Sequence, residues 1–243
     1  MLKLGLLACD FVPDPLRDRF EDYPVMFAAA IASTGIEVEW HVYRAYAGEL
    51  PAGAKVCDAY LVTGSRAGTY DGEPWIAALE SFVRDLVRQR VPLVGICFGH
   101  QLIAQALGGT VEKSPRGWGI GVHTYNTDRA APWMRPALPR FTVPVCHQDQ
   151  VVGLPGGADR LASSDHCENF LVQFNDTTMG IQGHPEFTPA YIGVLVDQRE
   201  DHLAAETSAA ARASLSRDPD NTAIMTWIVN FLGLAPRPPA AHE

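Results

Sequence analysis

The stretch from Val91 to Gly109, V-P-L-V-G-I-C-F-G-H-Q-L-I-A-Q-A-L-G-G, constrains the fold more than any other part of the chain. Val91 to Ile96 is a short apolar run with the length of a buried strand. Phe98 to Leu107 is amphipathic and stops at Gly108-Gly109, as a helix does. Between them lies Gly95-Ile96-Cys97-Phe98-Gly99, the strand-to-helix elbow G-x-S-x-G with sulfur in place of oxygen. A turn that sharp strains its central residue and forces backbones together, which flanking glycines permit. It would set the Cys97 thiol at a helix N-terminus, where the macrodipole favours the nucleophilic thiolate. Taken alone, Gly95 to Gly99 fits equally a buried structural cysteine beside glycines that end a strand.

The segments before the elbow alternate in type. Leu2 to Ala8, Ile36 to Tyr43 and Asp58 to Thr63 read as strands, and Tyr23 to Ser33 as a helix. Cys9 to Asp22, with two prolines and several charges, reads as a loop. Glu73 to Arg90 is the clearest helix. Trp75, Leu79, Phe82, Val83, Leu86 and Val87 make its apolar stripe, and Pro74 suits its first turn. This alternation predicts an α/β fold with a doubly wound, mostly parallel sheet and flanking helices. Loops at the carboxyl ends of such strands carry function, so Gly64-Ser65 and Cys97 are expected to share a cleft.

After Gly109 the pattern changes to short alternating runs broken by turn residues, as in Thr142 to Val145, Val151 to Leu154 and Asn169 to Gln173. These predict a small antiparallel excursion on the same domain, with Thr178 to Gln182 returning to the sheet. Pro189 to Glu206 reads as one helix, Thr207 to Asn221 as its extension or a connector, and Thr222 to Leu232 as a closing helix. A single domain over 1–234 is expected, with Ala235 to Glu243 a disordered tail.

Composition narrows the class. A net charge of −9 argues against nucleic acid as a partner. No apolar run has membrane-spanning length, and the first residues lack a signal-peptide layout. The odd, scattered cysteines Cys9, Cys57, Cys97, Cys146 and Cys167 suit a reducing cytoplasm. Cys146-His147 and His166-Cys167 fit no zinc spacing, and no phosphate loop occurs, so no metal or cofactor is expected.

A second constellation is Gly183-His184-Pro185-Glu186-Phe187, directly after a strand-like run. A thiol nucleophile needs a base, and the base needs an orienting acceptor. Cys97, His184 and Glu186 can fill those three roles from two strand ends. Alone, the turn fits a solvated surface His and Glu as well.

Gly95 to Gln101, Gly183 to Phe187 and Val62 to Ser65 resemble the three motifs of the class I (triad) glutamine amidotransferases, in the family's order and over roughly Leu2 to Tyr191. The resemblance implies their flavodoxin-like fold and a cysteine-dependent glutaminase. Cys97 would attack a γ-glutamyl carbonyl, His184 would move the proton, and Glu186 would hold His184. The backbone of Phe98 and of Ser65 or Gly64 would form the oxyanion hole. Gln101 and the Cys146-His147 segment would meet the substrate. Arg66 and Tyr70, on the neighbouring loop, would select the group beyond the carbonyl or make ordinary loop contacts.

Two departures shape the expectation. The family loop is commonly Gly-Gly-Pro, and here it is Gly64-Ser65-Arg66. The run Gly68 to Trp75 resembles a stand-alone subgroup similar to the glutaminase part of GMP synthase, some members of which are γ-glutamyl peptidases. With no synthetase domain in view, either a partner synthetase chain accepts the ammonia, or hydrolysis is itself the function. The readings are thus a glutaminase, a γ-glutamyl peptidase, or a catalytically silent binding module that kept the fold. Trp118 is read either as a cleft wall or as core.

Overall fold

The computed structural model describes residues 1–234. The expected tail, Ala235 to Glu243, lies outside them. The elements in order are β1 (Lys3–Ala8), α1 (Asp14–Phe20), α2 (Tyr23–Ala32), β2 (Glu39–Arg44), β3 (Ala59–Val62), α3 (Pro74–Arg88), β4 (Leu93–Ile96) and α4 (Phe98–Ala106). There follow β5 (Thr110–Lys113), β6 (Gly119–Thr127), β7 (Arg140–His147), β8 (Asp149–Gly153), β9 (Asp159–Ser163), β10 (Leu171–Asn175) and β11 (Thr178–Ile181). The last helices are α5 (Pro189–Asp197), α6 (Ala205–Ser214) and α7 (Asn221–Phe231).

A nine-stranded sheet runs in the order β2-β1-β3-β4-β11-β10-β9-β6-β7. Strands β2, β1, β3, β4 and β11 are parallel, and β10, β9, β6 and β7 continue antiparallel. β5 and β8 form a separate pair. The class is the expected one, but the antiparallel part is not small, since it supplies four strands of the main sheet.

β3 and β4 are buried on both faces, which is why they read as unbroken apolar runs. One face packs Leu4, Leu61, Val94 and Ile96 against α2 and α7 through Phe27, Ile31, Trp227 and Ile228. The other packs Leu7, Val62 and Leu93 against α3 and α4 through Leu79, Phe82, Val83 and Leu102. Val62 pairs with Gly95, and Ile181 with Ile96. This register brings the residues after β3, β4 and β11 to one edge: Gly64-Ser65, Cys97 and Gln182 to Glu186.

Two expectations need correction, and one strand was not foreseen. Cys9 to Asp22 contains α1, a short helix with Pro15 in its first turn and no buried residue, too brief to show a periodic apolar stripe. β6 is the longest strand of the sheet, hidden in sequence by its glycines, histidine and asparagine. Pro189 to Glu206 is not one helix. The apolar side of α5, Tyr191, Ile192, Leu195 and Val196, ends at Asp197. A 3-10 turn follows over Glu200–His202, and α6 begins a new direction. Arg212 of α6 pins this break by pairing with Asp197 and Glu200, each at 2.6 Å.

Candidate active site

Cys97 follows β4 directly and caps α4, with φ 52° and ψ −102°. A non-glycine residue there is strained by about 1–3 kcal/mol, so its surroundings must enforce it. Its N–H donates to the Ile181 carbonyl at 2.8 Å, and its carbonyl accepts from the Gln101 N–H at 3.1 Å. A Cβ on Gly95 would collide with the backbone of Gly99, and one on Gly99 with the Val62 carbonyl. The flanking glycines are therefore required by close packing of α4 on β3 and β4.

His184 is placed by its own N–H, which donates to the Pro144 carbonyl at 2.8 Å. Its ring stacks on Phe187 with centroids 4.2 Å apart and planes 5° off parallel. On its other side a Cβ at Gly64 would stand 2.7 Å from His184 Cε1 and 3.6 Å from Cys97 Cβ. Nδ1 meets Glu186 Oε1 at 2.7 Å, with both side chains almost wholly buried. That bond assigns one proton to Nδ1 and leaves Nε2 to pair with Cys97. Burial works against a charged imidazole, but Glu186 and Cys97 outweigh it and push His184 up to about 10.

Beside the triad, Gly64 and Ser65 line the same cavity as Cys97 and His184. The loop is held by Asp10, at the end of β1. The Arg66 N–H donates to Asp10 Oδ2 at 2.9 Å, Arg66 Nε donates to the same oxygen at 2.8 Å, and a terminal guanidinium nitrogen donates to Oδ1 at 2.6 Å. Asp10 thus fixes the Gly64-Ser65-Arg66 loop by hydrogen bonds. Arg66 lines the cleft, yet its charge is spent on Asp10. Asp10→Asn, which removes the charge and one acceptor, is expected to lower kcat/KM for hydrolysis about tenfold by loosening this loop. Steady-state kinetics checks it, and an unchanged value would show that the loop holds itself.

Gln101 is buried, and its Nε2 donates to the Asp149 carbonyl at 2.8 Å and to Gln182 Oε1 at 3.1 Å. Gln182 Nε2 in turn donates to Cys97 Sγ at 3.4 Å. Tyr70 donates its hydroxyl to Asp149 Oδ2 at 2.8 Å, and burial with this bond pushes the phenol up to about 12. The Cys146 thiol, also pushed up by burial, to about 11, lines the cleft beside Cys97. His147 is buried, bonds the Asp149 carbonyl through Nδ1 at 3.2 Å, and is held neutral by burial and by His166. Phe98 begins α4 next to Cys97, and its ring packs on Trp75.

The cleft has two lobes that meet at Cys97. The smaller, about 300 Å³, includes Tyr70, Gln101, Lys113, His147 and Asp149. The larger, about 510 Å³, includes His184, Glu186, Tyr23, Phe187, Tyr191 and Leu195. Ser65, Arg66, Trp118, Cys146 and Arg199 line both, so Trp118 is a cleft wall. Sequence reasoning missed Gln182, Asp10 and Arg199. The first two had a signal, since each stands at the carboxyl end of a strand, as Cys97 does. Arg199 had none.

The family model "Glutamine amidotransferase class-I" matches residues 18–194. Gamma-glutamyl peptidase 5 of Arabidopsis thaliana is 29% identical over 204 residues, 80% of this chain and 81% of that protein. A glutamine-hydrolysing GMP synthase subunit of Halobacterium salinarum is 36% identical over 104 residues, 42% of this chain and 57% of that protein. A solved structure of a glutamine amidotransferase from Thermotoga maritima is similar with a TM-score of 0.75 at 19% identity, covering 94% of this chain and 98% of that one. With the elbow, the His-Pro-Glu turn and the sheet order all in place, the chain belongs to the class I glutamine amidotransferase family.

Proposed function

We propose that the protein hydrolyses γ-glutamyl amide bonds through a thioester on Cys97, and that γ-glutamyl peptides suit its cleft better than free glutamine. The two-lobed cleft carries this reading. The smaller lobe suits a γ-glutamyl group and is lined by Gln101, Tyr70 and the Cys146-His147 segment. The larger lobe opens on the side of His184. That is where the departing nitrogen must take its proton. Ammonia needs no such space, whereas a peptide amine does.

In this mechanism the Cys97 sulfur attacks the γ-carbonyl and forms a tetrahedral oxyanion. The N–H groups of Phe98 and of Ser65 or Gly64 stabilise it, each worth about 3 kcal/mol in sites of this kind. His184, which already holds the proton taken from the Cys97 thiol, passes it to the leaving nitrogen, and the C–N bond breaks. Glu186 keeps the imidazole oriented and balances its charge. Water, deprotonated by His184, then cleaves the thioester and releases glutamate and free Cys97.

The second reading is a glutaminase that hands ammonia to a separate synthetase chain. The similarity to the GMP synthase of Halobacterium salinarum favours it. Among the described residues no helix is long and apolar enough to cross a membrane. A free reactive thiol fits a reducing cytoplasm, which we take as the working compartment. Glutamate release by the purified protein separates the two readings. Burying a leaving group contributes about 1–3 kcal/mol, so γ-glutamyl dipeptides should exceed glutamine in kcat/KM by roughly tenfold or more. Equal or better turnover of glutamine would overturn the preference.

A further inference from the structure

We propose that Arg199 anchors a free carboxylate on the leaving group, so that the preferred substrates are γ-glutamyl conjugates of apolar amino acids. This rests on the hydrolase reading above and deepens it.

The permanent charges in the larger lobe are otherwise spent, and His202 lines it as an exposed imidazole. Arg66 is paired with Asp10, and Glu186, the one carboxylate that lines the lobe, is taken by His184. Arg199 differs. Among the described residues it makes no ion pair, and its one side-chain hydrogen bond goes to the Leu195 carbonyl at 3.2 Å. Its guanidinium lies over the Trp118 ring, 5.3 Å from the centroid, at the junction of the two lobes. A half-buried guanidinium with unused donors is suited to a planar carboxylate.

The walls around it set the rest of the ligand. Tyr23, Phe27, Phe187, Tyr191 and Leu195 present aromatic and aliphatic surface. The Tyr191 hydroxyl donates to the Tyr23 hydroxyl at 3.4 Å, which leaves the ring faces for an apolar group. The smaller lobe has its own cation, Lys113, for the α-carboxylate of the glutamyl end. Arg199 is thus free to serve the other end, where an amino acid leaving from the γ-carbonyl carries its carboxylate one carbon from the scissile nitrogen.

The test compares γ-glutamyl-phenylalanine with γ-glutamyl-phenethylamide, which lacks only that carboxylate. A charge-assisted pair should give the wild-type protein a kcat/KM ratio of about 10 or more in favour of the carboxylate. Arg199→Gln should bring the ratio to about 1, and Arg199→Lys should keep part of it. A wild-type ratio near 1, a ratio that survives Arg199→Gln, or an equal loss on both compounds would overturn the proposal. An equal loss would place Arg199 at the glutamyl end or in a structural role. If neither compound is hydrolysed, the hydrolase reading fails by itself. Calorimetric binding of both to Cys97→Ala protein then decides. A carboxylate preference abolished by adding Arg199→Gln supports the anchor, and its absence refutes it.

Discussion

Cys97→Ala is expected to abolish hydrolysis of every γ-glutamyl substrate, with kcat falling by about 10⁴-fold or more, while the protein stays folded. The loss is this large because nothing else in the cleft can replace the nucleophile. Cys146 is nearby, but burial pushes its thiol up to about 11 and it has no imidazole partner. The fold survives because alanine keeps the Cβ and the strained φ of 52° is imposed by neighbours rather than by sulfur. The side-chain contacts removed are the 3.4 Å hydrogen bond from Gln182, worth about 1 kcal/mol, and the pairing with His184. Cys97→Ser should be equally inactive, since the hydroxyl keeps the shape but does not ionise in this range. Glutamate release reports the activity, and a thermal midpoint within a few degrees of wild type reports the fold. Residual turnover above about 1% of wild type would be more than the oxyanion hole and binding can supply alone, and would show that another group attacks.

What could be read from the chain, and what could not, divides by sequence distance. The elbow is a five-residue pattern and the His-Pro-Glu turn is shorter still. Each is a short contiguous pattern, so each is visible without a fold, although the packing that requires Gly99 comes from Val62 of β3. The strands β3 and β4 were legible for a similar reason, because burial on both faces leaves unbroken apolar runs. The supports of the site are of another kind. Gln182 reaches Cys97 across 85 residues, and Asp10 reaches Arg66 across 56. Asp10 is an ordinary charged residue until the register of β1 against β3 brings it to the loop. Arg199 acquires meaning only from the break after α5, which the helical pattern of Pro189 to Glu206 concealed. The loop after β3 shows both sides of this. Its place was legible from Val62 to Ser65, but the Asp10 clamp on Arg66 was not.

Glu186→Gln carries the second large effect, and it also tests the electrostatics. The side chain is buried and meets His184 Nδ1 at 2.7 Å, and glutamine matches its shape without its charge. The amide can also offer its N–H group to Nδ1 and so favour the wrong tautomer. On either ground kcat should fall by about 10²–10⁴-fold, as it does when an orienting carboxylate is neutralised in a triad. The pH dependence of stability follows from the same pair. His184 lies at about 10 in the folded protein, above its ordinary value of 6.5. A group raised on folding binds its proton more tightly in the native state. Its contribution is therefore complete below about pH 6.5 and is lost as pH rises through about 10. Wild-type protein should lose stability between pH 7 and pH 10, and Glu186→Gln should lose less over that window, because its His184 has less to give up. Urea unfolding at the two ends of the window measures both slopes, and taking their difference cancels the buried tyrosines that titrate in both proteins. Equal slopes would mean that Glu186 is not what raises His184, and would remove the physical basis for calling it the orienting acid.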